Sequence, residues 1–166
     1  GGTSLPGWYL KGAREGPDSI LLARTCWQNI GVPSVLWGTD FIPFTEEKIE
    51  EIDRLQSQLA KSLLGLPIGA SNVCAQETMG WRTIRHLLIE KQLKFYYRLL
   101  NLPATRWSHK ALMDHLSGQW VSRYVLYIYK IREKVGMLSL PSSPSILSLQ
   151  LDFFFIKATN DIISSK

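Results

Sequence analysis

From residue 17 onward, apolar residues return every three or four positions in long stretches, separated by short runs rich in glycine and proline. That return is the period of an amphipathic helix. Ile20 to Ile30 reads as a first helix, capped by Asp18 or Ser19 and stopped by Gly31 and Pro33. Val35 to Gly38 is a short extended or helical run leading into a turn at Gly38. The next helix is the best marked at its start. Thr45 caps it, and Glu46 and Glu47 put negative charge in the first turn, where the helix dipole favours it. Ile49, Ile52, Leu55, Leu59 and Leu63 form its apolar stripe. Gly65 supplies a left-handed end and Pro67 blocks continuation.

A short helix near Val73 to Met79 ends at Gly80, and the longest periodic segment, Trp81 to Leu102, follows. Ile84, Leu88, Phe95 and Leu99 share one sector of it, while Ile89, Leu93, Tyr96 and Leu100 share the neighbouring one. Two apolar sectors call for more than one partner helix, so this is the central helix. Pro103 ends it. Ser108 caps a short helix through Leu116, Gly118 breaks the chain, and Trp120 to Val135 gives another helix closed by Gly136. Pro141 to Ser145 is a linker by composition, and Ile146 to Lys166 forms a helix or strand docked on the core.

No stretch alternates strictly between polar and apolar residues, so strands are not expected. The fold class is all-α: an irregular bundle of five to six helices with flexible N- and C-terminal segments. Residues 1–16 form a flexible N-terminal segment, 17–136 the helical domain, and 137–166 a linker and tail.

Composition agrees with a packed domain: 45% of residues are hydrophobic, which argues against disorder throughout. No apolar run reaches the roughly 18 residues of a membrane span, so no membrane partner is expected. Gly1-Gly2-Thr3-Ser4 lacks the charged and apolar regions of a signal peptide. Cys26 and Cys74 read as buried, reduced thiols. No Cys-x-x-Cys occurs, and His109 and His115 stand six apart, off a common helical face, so neither a metal nor any other cofactor is expected.

Charge changes the picture more. Between Arg82 and Lys134 eleven lysines and arginines face three carboxylates, a net +8, while the rest of the chain carries a net −3. Such a basic half points to a polyanion; two solvated faces of opposite sign is the bland alternative. Lys91, Lys94 and Arg98 share the polar side of the central helix, with Arg82 and Arg85 near its start. Arg123, Tyr127, Lys130 and Lys134 recur at four-, three- and four-residue steps, interleaving an aromatic ring with cations. Trp81, Trp107 and Trp120 read as core or capping aromatics.

Catalysis has little to rest on. Two-metal phosphoryl transfer needs paired aspartates, yet no two aspartates are adjacent, and Asp40, Asp53 and Asp114 read as surface residues. Ser108, His109, Asp114 and His115 contain the residue types of a nucleophilic triad, but co-occurrence in sequence carries almost no weight.

The order of several motifs resembles one family, the reverse transcriptases of non-LTR (LINE-type) retrotransposons, in the helical thumb and the region after it. The matching positions are Leu36-Trp37-Gly38-Thr39-Asp40, Gln56, Leu63-Leu64-Gly65-Leu66-Pro67, Ser71-Asn72, Met79-Gly80 and Leu93-Lys94-Phe95-Tyr96-Tyr97-Arg98-Leu99-Leu100, within residues 20 to 136. Asp40 stands where the family usually has Glu, no proline precedes Asn72, and nothing from Pro141 onward matches.

The resemblance implies a thumb-like domain inside the cell, in the nucleus or cytoplasm, inert without a polymerase palm. Arg82, Arg85, Lys91, Lys94, Arg98, Arg123, Tyr127, Lys130 and Lys134 would then grip the backbone of RNA or an RNA–DNA duplex without reading bases. In a longer chain the palm domain would be a further partner. The alternative is a retrotransposon-derived protein-interaction scaffold without enzymatic activity, self-associating through the apolar run Leu149 to Ile156.

Overall fold

The computed structural model describes residues 19–117, 123–137 and 144–165. The N-terminal segment 1–16, the Gly118 break, the Trp120 helix start and residues 138–143 of the expected linker lie outside them. The described residues are helical, without a strand: α1 (Ser19–Cys26), a π-helical turn (Trp27–Gly31), α2 (Val32–Val35), α3 (Glu46–Leu64), α4 (Asn72–Thr78), α5 (Ile84–Leu100), α6 (Trp107–Ser117), α7 (Arg123–Lys134) and α8 (Pro144–Ser164). α1, the π turn and α2 run on without a break, which leaves seven continuous helical segments among the described residues. The all-α expectation holds.

The first helix does not stop at Gly31 and Pro33, as the sequence suggested. The wider π turn carries it through, with the Val32 N–H bonding to the Trp27 carbonyl, and Pro33 sits in the first turn of α2, where its missing N–H is tolerated. Gly31 is present for packing: the Trp27 indole lies where a Cβ would stand.

The chain divides into two compact units. One comprises residues 19–37 and 45–85, the other 38–44 and 86–165.

In the first unit, Ala23, Trp27, Leu59, Ala60, Ala75 and Met79 close a core over Trp81, whose ring centroid lies 6.1 Å from that of Trp27. Three alanines let the helices approach closely. α3 begins and ends as its sequence demands. Thr45 accepts the Lys48 N–H, and Gly65 turns left-handed at φ 65° while the Leu66 N–H bonds back to Lys61 at 2.9 Å.

Its inward face is not wholly apolar. Gln56 and Ser57 are buried there, whereas Leu55 of the expected stripe is exposed. Trp27 Nε1 donates to Gln56 Oε1 at 2.9 Å, and Gln56 Nε2 donates to Gln76 Oε1 and to the Arg82 carbonyl, each at 2.8 Å. Asp53, expected at the surface, accepts the Ile84 N–H at 2.8 Å and so satisfies a free donor at the start of α5. The network joins the π turn, α3, α4 and the entry to α5. A buried amide with its partners in place fixes one register of packing.

In the second unit, both apolar sectors of α5 are used. Leu88, Ile89, Leu93 and Tyr96 are buried, and the last three share one core with Ile128 and Ile131 of α7 and Leu112 of α6, against which Leu99 and Leu100 pack. α6 begins at Trp107, one residue before the expected cap Ser108, because the Lys110 N–H already bonds to the Arg106 carbonyl. Gln92, fully enclosed, donates to the carbonyls of Thr39 (2.9 Å) and Ile42 (3.0 Å) and accepts the Tyr127 hydroxyl at 3.0 Å. One amide thereby holds the 38–44 segment, α5 and α7.

The segment from Ile146, expected as a helix or strand docked on the core, is the helix Pro144–Ser164, which also takes in two residues of the expected linker; its Leu147 and Leu151 are wholly buried in this core. Burying each leucine contributes about 1.5–3 kcal/mol. Phe155 stacks on the buried His86 ring at 4.3 Å, and His86 Nε2 lies 3.1 Å from Asp152. Among the described residues, no helix is long and apolar enough to cross a membrane.

Candidate functional site

The nine sequence-derived cations and tyrosine fall into both units. Arg82 and Arg85 belong to the first; the other seven belong to the second. Arg82 is exposed, and Arg85 is committed to Glu46 at 2.6 Å.

On α5 the cationic side is partly neutralised. Lys94 Nζ lies 2.6 Å from Glu90, one turn earlier, and Lys91 Nζ lies 3.5 Å from Asp40. Arg98 is exposed, with its guanidinium 5.5 Å from the centre of the Phe95 ring. It borders a groove of about 430 Å³ whose walls include Phe41, Phe95, Leu102, His115 and Tyr124. The Tyr124 hydroxyl is buried without a hydrogen-bond partner. Burial pushes that phenol well above its ordinary range, with the neighbouring Tyr96 and Asp40 acting in the same direction.

α7 presents the stronger basic surface. Val125, Ile128 and Ile131 face the core, whereas Arg123, Lys130 and Lys134 are exposed. At about 100° per residue these three fall within a sector of roughly 40°. Leu126 and Tyr129 are also exposed on the outer side, and Glu133 is the acid nearest the strip in sequence. Tyr127 borders it, but its hydroxyl is spent on Gln92, so it braces the helix rather than offering a hydroxyl to a ligand.

One further constellation was not chosen from the sequence. Trp107, expected to be a core or capping aromatic, is 83% exposed, and Lys110 Nζ stands 4.9 Å from the centre of its ring. Arg106 beside it is exposed too. An Arg-Trp pair followed three residues later by Lys at a helix start was the available signal. Trp81, by contrast, is buried as a core aromatic.

Of the triad residue types, Asp114 is exposed, and His109 has a partner on the preceding helix. His109 Nδ1 lies 3.0 Å from the Leu99 carbonyl, tying α6 to α5. Among the described residues no group of three His, Cys, Asp or Glu is placed to hold a metal ion. Cys26 and Cys74 are free thiols, but neither is buried as expected: Cys26 is half-buried and Cys74 exposed.

No family model, curated protein or solved structure matches the chain.

Proposed function

We propose that this chain is a non-catalytic nucleic-acid-binding helical domain, like the thumb region its motifs resemble, in which the outer strip of α7 runs along a sugar–phosphate backbone. The observation carrying this reading is the exposure of Arg123, Lys130 and Lys134 in one narrow sector over an apolar inner face. Exposed cations of this kind bind phosphates by releasing condensed counterions, whatever the base sequence. Arg98 and the Arg106-Trp107-Lys110 cluster supply additional contacts, Trp107 offering an open ring on which an unpaired base stacks. Lys91, Lys94 and Arg85 contribute less, because each already faces a carboxylate. Titration with an RNA–DNA duplex at two salt concentrations tests the reading. Binding that weakens steeply with salt supports it, and absent or salt-indifferent binding overturns it.

A second reading, a helical protein-interaction scaffold, is favoured by the apolar residues that α8 leaves exposed. It does not compete for the same surface as the α7 strip.

A further inference from the structure

A cleft of about 570 Å³ in the first unit runs along α3, where Arg54, Gln58 and Lys61 meet Leu66 and Ile68 of the following loop and Asn72 at the start of α4. Steps of four and three residues put Arg54, Gln58 and Lys61 within one sector of roughly 60°. Clefts of about 300–1,000 Å³ are the usual size for small-molecule sites.

Lys61 is the unusual member. It is only 9% exposed, and its Nζ donates to the Ile68 carbonyl at 2.7 Å. An ammonium has three donors, and one carbonyl answers a single donor without answering the charge. Among the described residues neither Lys61 nor Arg54 forms an ion pair, and no carboxylate lines the cleft. Glu51, the acid that feels Arg54, has its main partner in Lys48 at 2.8 Å. Carbonyls at the end of α3, which would repel an anion, are engaged: that of Lys61 accepts the Leu66 N–H and that of Ser62 the Gly65 N–H. Two cations, one of them withdrawn from water, are left without a counter-charge, which is costly.

We propose that this cleft binds a small phosphate monoester, its phosphoryl group held between Lys61 and Arg54. The two residues stand about 10 Å apart along the helix axis, a span that two long side chains close onto one group. A monoester carries nearly two negative charges at neutral pH, which matches two cations. Lys61 meets it as a point charge, and the Arg54 guanidinium offers a two-pronged grip. The side-chain amides of Gln58 and Asn72 supply further donors. Leu66 and Ile68, 40% and 91% exposed, give the organic group an apolar wall. A phosphodiester of a nucleic-acid backbone has one charge and is the poorer match. The inference does not depend on nucleic-acid binding, since none of these residues belongs to the α7 strip or to its unit.

Titration of the full chain with ribose 5-phosphate, inorganic phosphate and acetate at matched ionic strength, followed by NMR chemical shifts, tests the site. Ribose 5-phosphate is expected to bind with a Kd of about 1 mM or tighter, inorganic phosphate more weakly, and acetate not at all. Arg54→Gln should weaken ribose 5-phosphate at least about tenfold with the helical circular dichroism intact, because Arg54 is exposed. Lys61→Met should do the same, and where its buried position prevents folding, Arg54→Gln decides alone. Lys130→Gln on α7 should leave phosphate binding unchanged, and Arg54→Gln should leave duplex affinity unchanged. No binding of ribose 5-phosphate up to about 10 mM, or binding indifferent to Arg54→Gln, overturns the proposal. Acetate or inorganic phosphate bound as tightly as the ester overturns the choice of a phosphate monoester. Duplex affinity lost in Arg54→Gln would give the cleft to a nucleic-acid backbone and overturn the small ligand.

Discussion

Gln56 and Gln76 face each other across α3 and α4, with Nε2 of the first 2.8 Å from Oε1 of the second and both side chains closed off from solvent. Neither amide is replaceable by a hydrocarbon of similar size. Gln56→Leu would strand the Trp27 indole N–H, the Gln76 carbonyl oxygen and the Arg82 carbonyl together. A buried polar group left unmatched costs about 1–3 kcal/mol, so a loss of about 3 kcal/mol or more is expected, read from urea unfolding. A near-neutral variant would show that the network contributes no net stability.

Gly31 reverses a propensity rule. Alanine is better than glycine inside a helix by about 1 kcal/mol, yet a Cβ at Gly31 collides with the Trp27 ring. Gly31→Ala should therefore destabilise by about 1–3 kcal/mol, the usual range for overpacking. Thermal unfolding of the variant measures this, and a raised melting temperature would contradict the packing described.

Tyr127 separates bracing from ligand contact. Tyr127→Phe removes the hydroxyl's bond to Gln92 and should lower stability by about 1 kcal/mol while leaving duplex affinity unchanged. Measuring both quantities on one variant decides between the roles. Lost affinity at unchanged stability would make Tyr127 a ligand contact.

Tyr96, which is buried, and Tyr124, half-buried with its hydroxyl enclosed, make the fold sensitive to alkali. Burial raises the phenols of both Tyr96 and Tyr124 above the ordinary 10.0. The unfolded chain then releases phenolic protons at a lower pH than the folded one. Their contribution to stability is complete below pH 10 and falls as pH rises beyond it. Urea midpoints measured on either side of that value should decline, and Tyr124→Phe should soften the decline. A flat profile would mean that both phenols ionise in the folded chain as they do in the unfolded one.

Helix positions and caps were legible because they depend on local chemistry: Thr45, Gly65, Gly80 and Gly136 each act where the sequence put them. Ser71, which caps α4, was not chosen from the sequence. The π turn was hidden, because proline and glycine normally end helices and only the position of the Trp27 ring explains why Gly31 does not. Gln56, Gln92 and Asp53 become structural only through partners 20 to 53 residues away, a separation no periodicity reports. Within the candidate site, exposure of α7 followed from its spacing. The carboxylates beside Lys91 and Arg85 come from distant residues, Asp40 and Glu46, whereas Glu90 stands four residues before Lys94 and was visible in advance.

Lys130 and Lys94 should differ as phosphate ligands. Lys130 is exposed on the α7 strip, while Lys94 sits 2.6 Å from Glu90. Lys130→Gln should weaken duplex binding for every sequence alike, and Lys94→Gln should do so less. Parallel binding isotherms compare them, and a larger effect from Lys94→Gln would move the interface to α5.

The most direct measurement is the slope of log affinity against log salt for an RNA–DNA duplex, with the wild type beside the triple variant Arg123→Gln, Lys130→Gln, Lys134→Gln. Each phosphate contact contributes about 0.9 to that slope, so the variant is expected to bind more weakly with a slope shallower by about 2 to 3. An unchanged slope, or a wild type that does not bind the duplex, contradicts the assignment of the α7 strip to a nucleic-acid backbone.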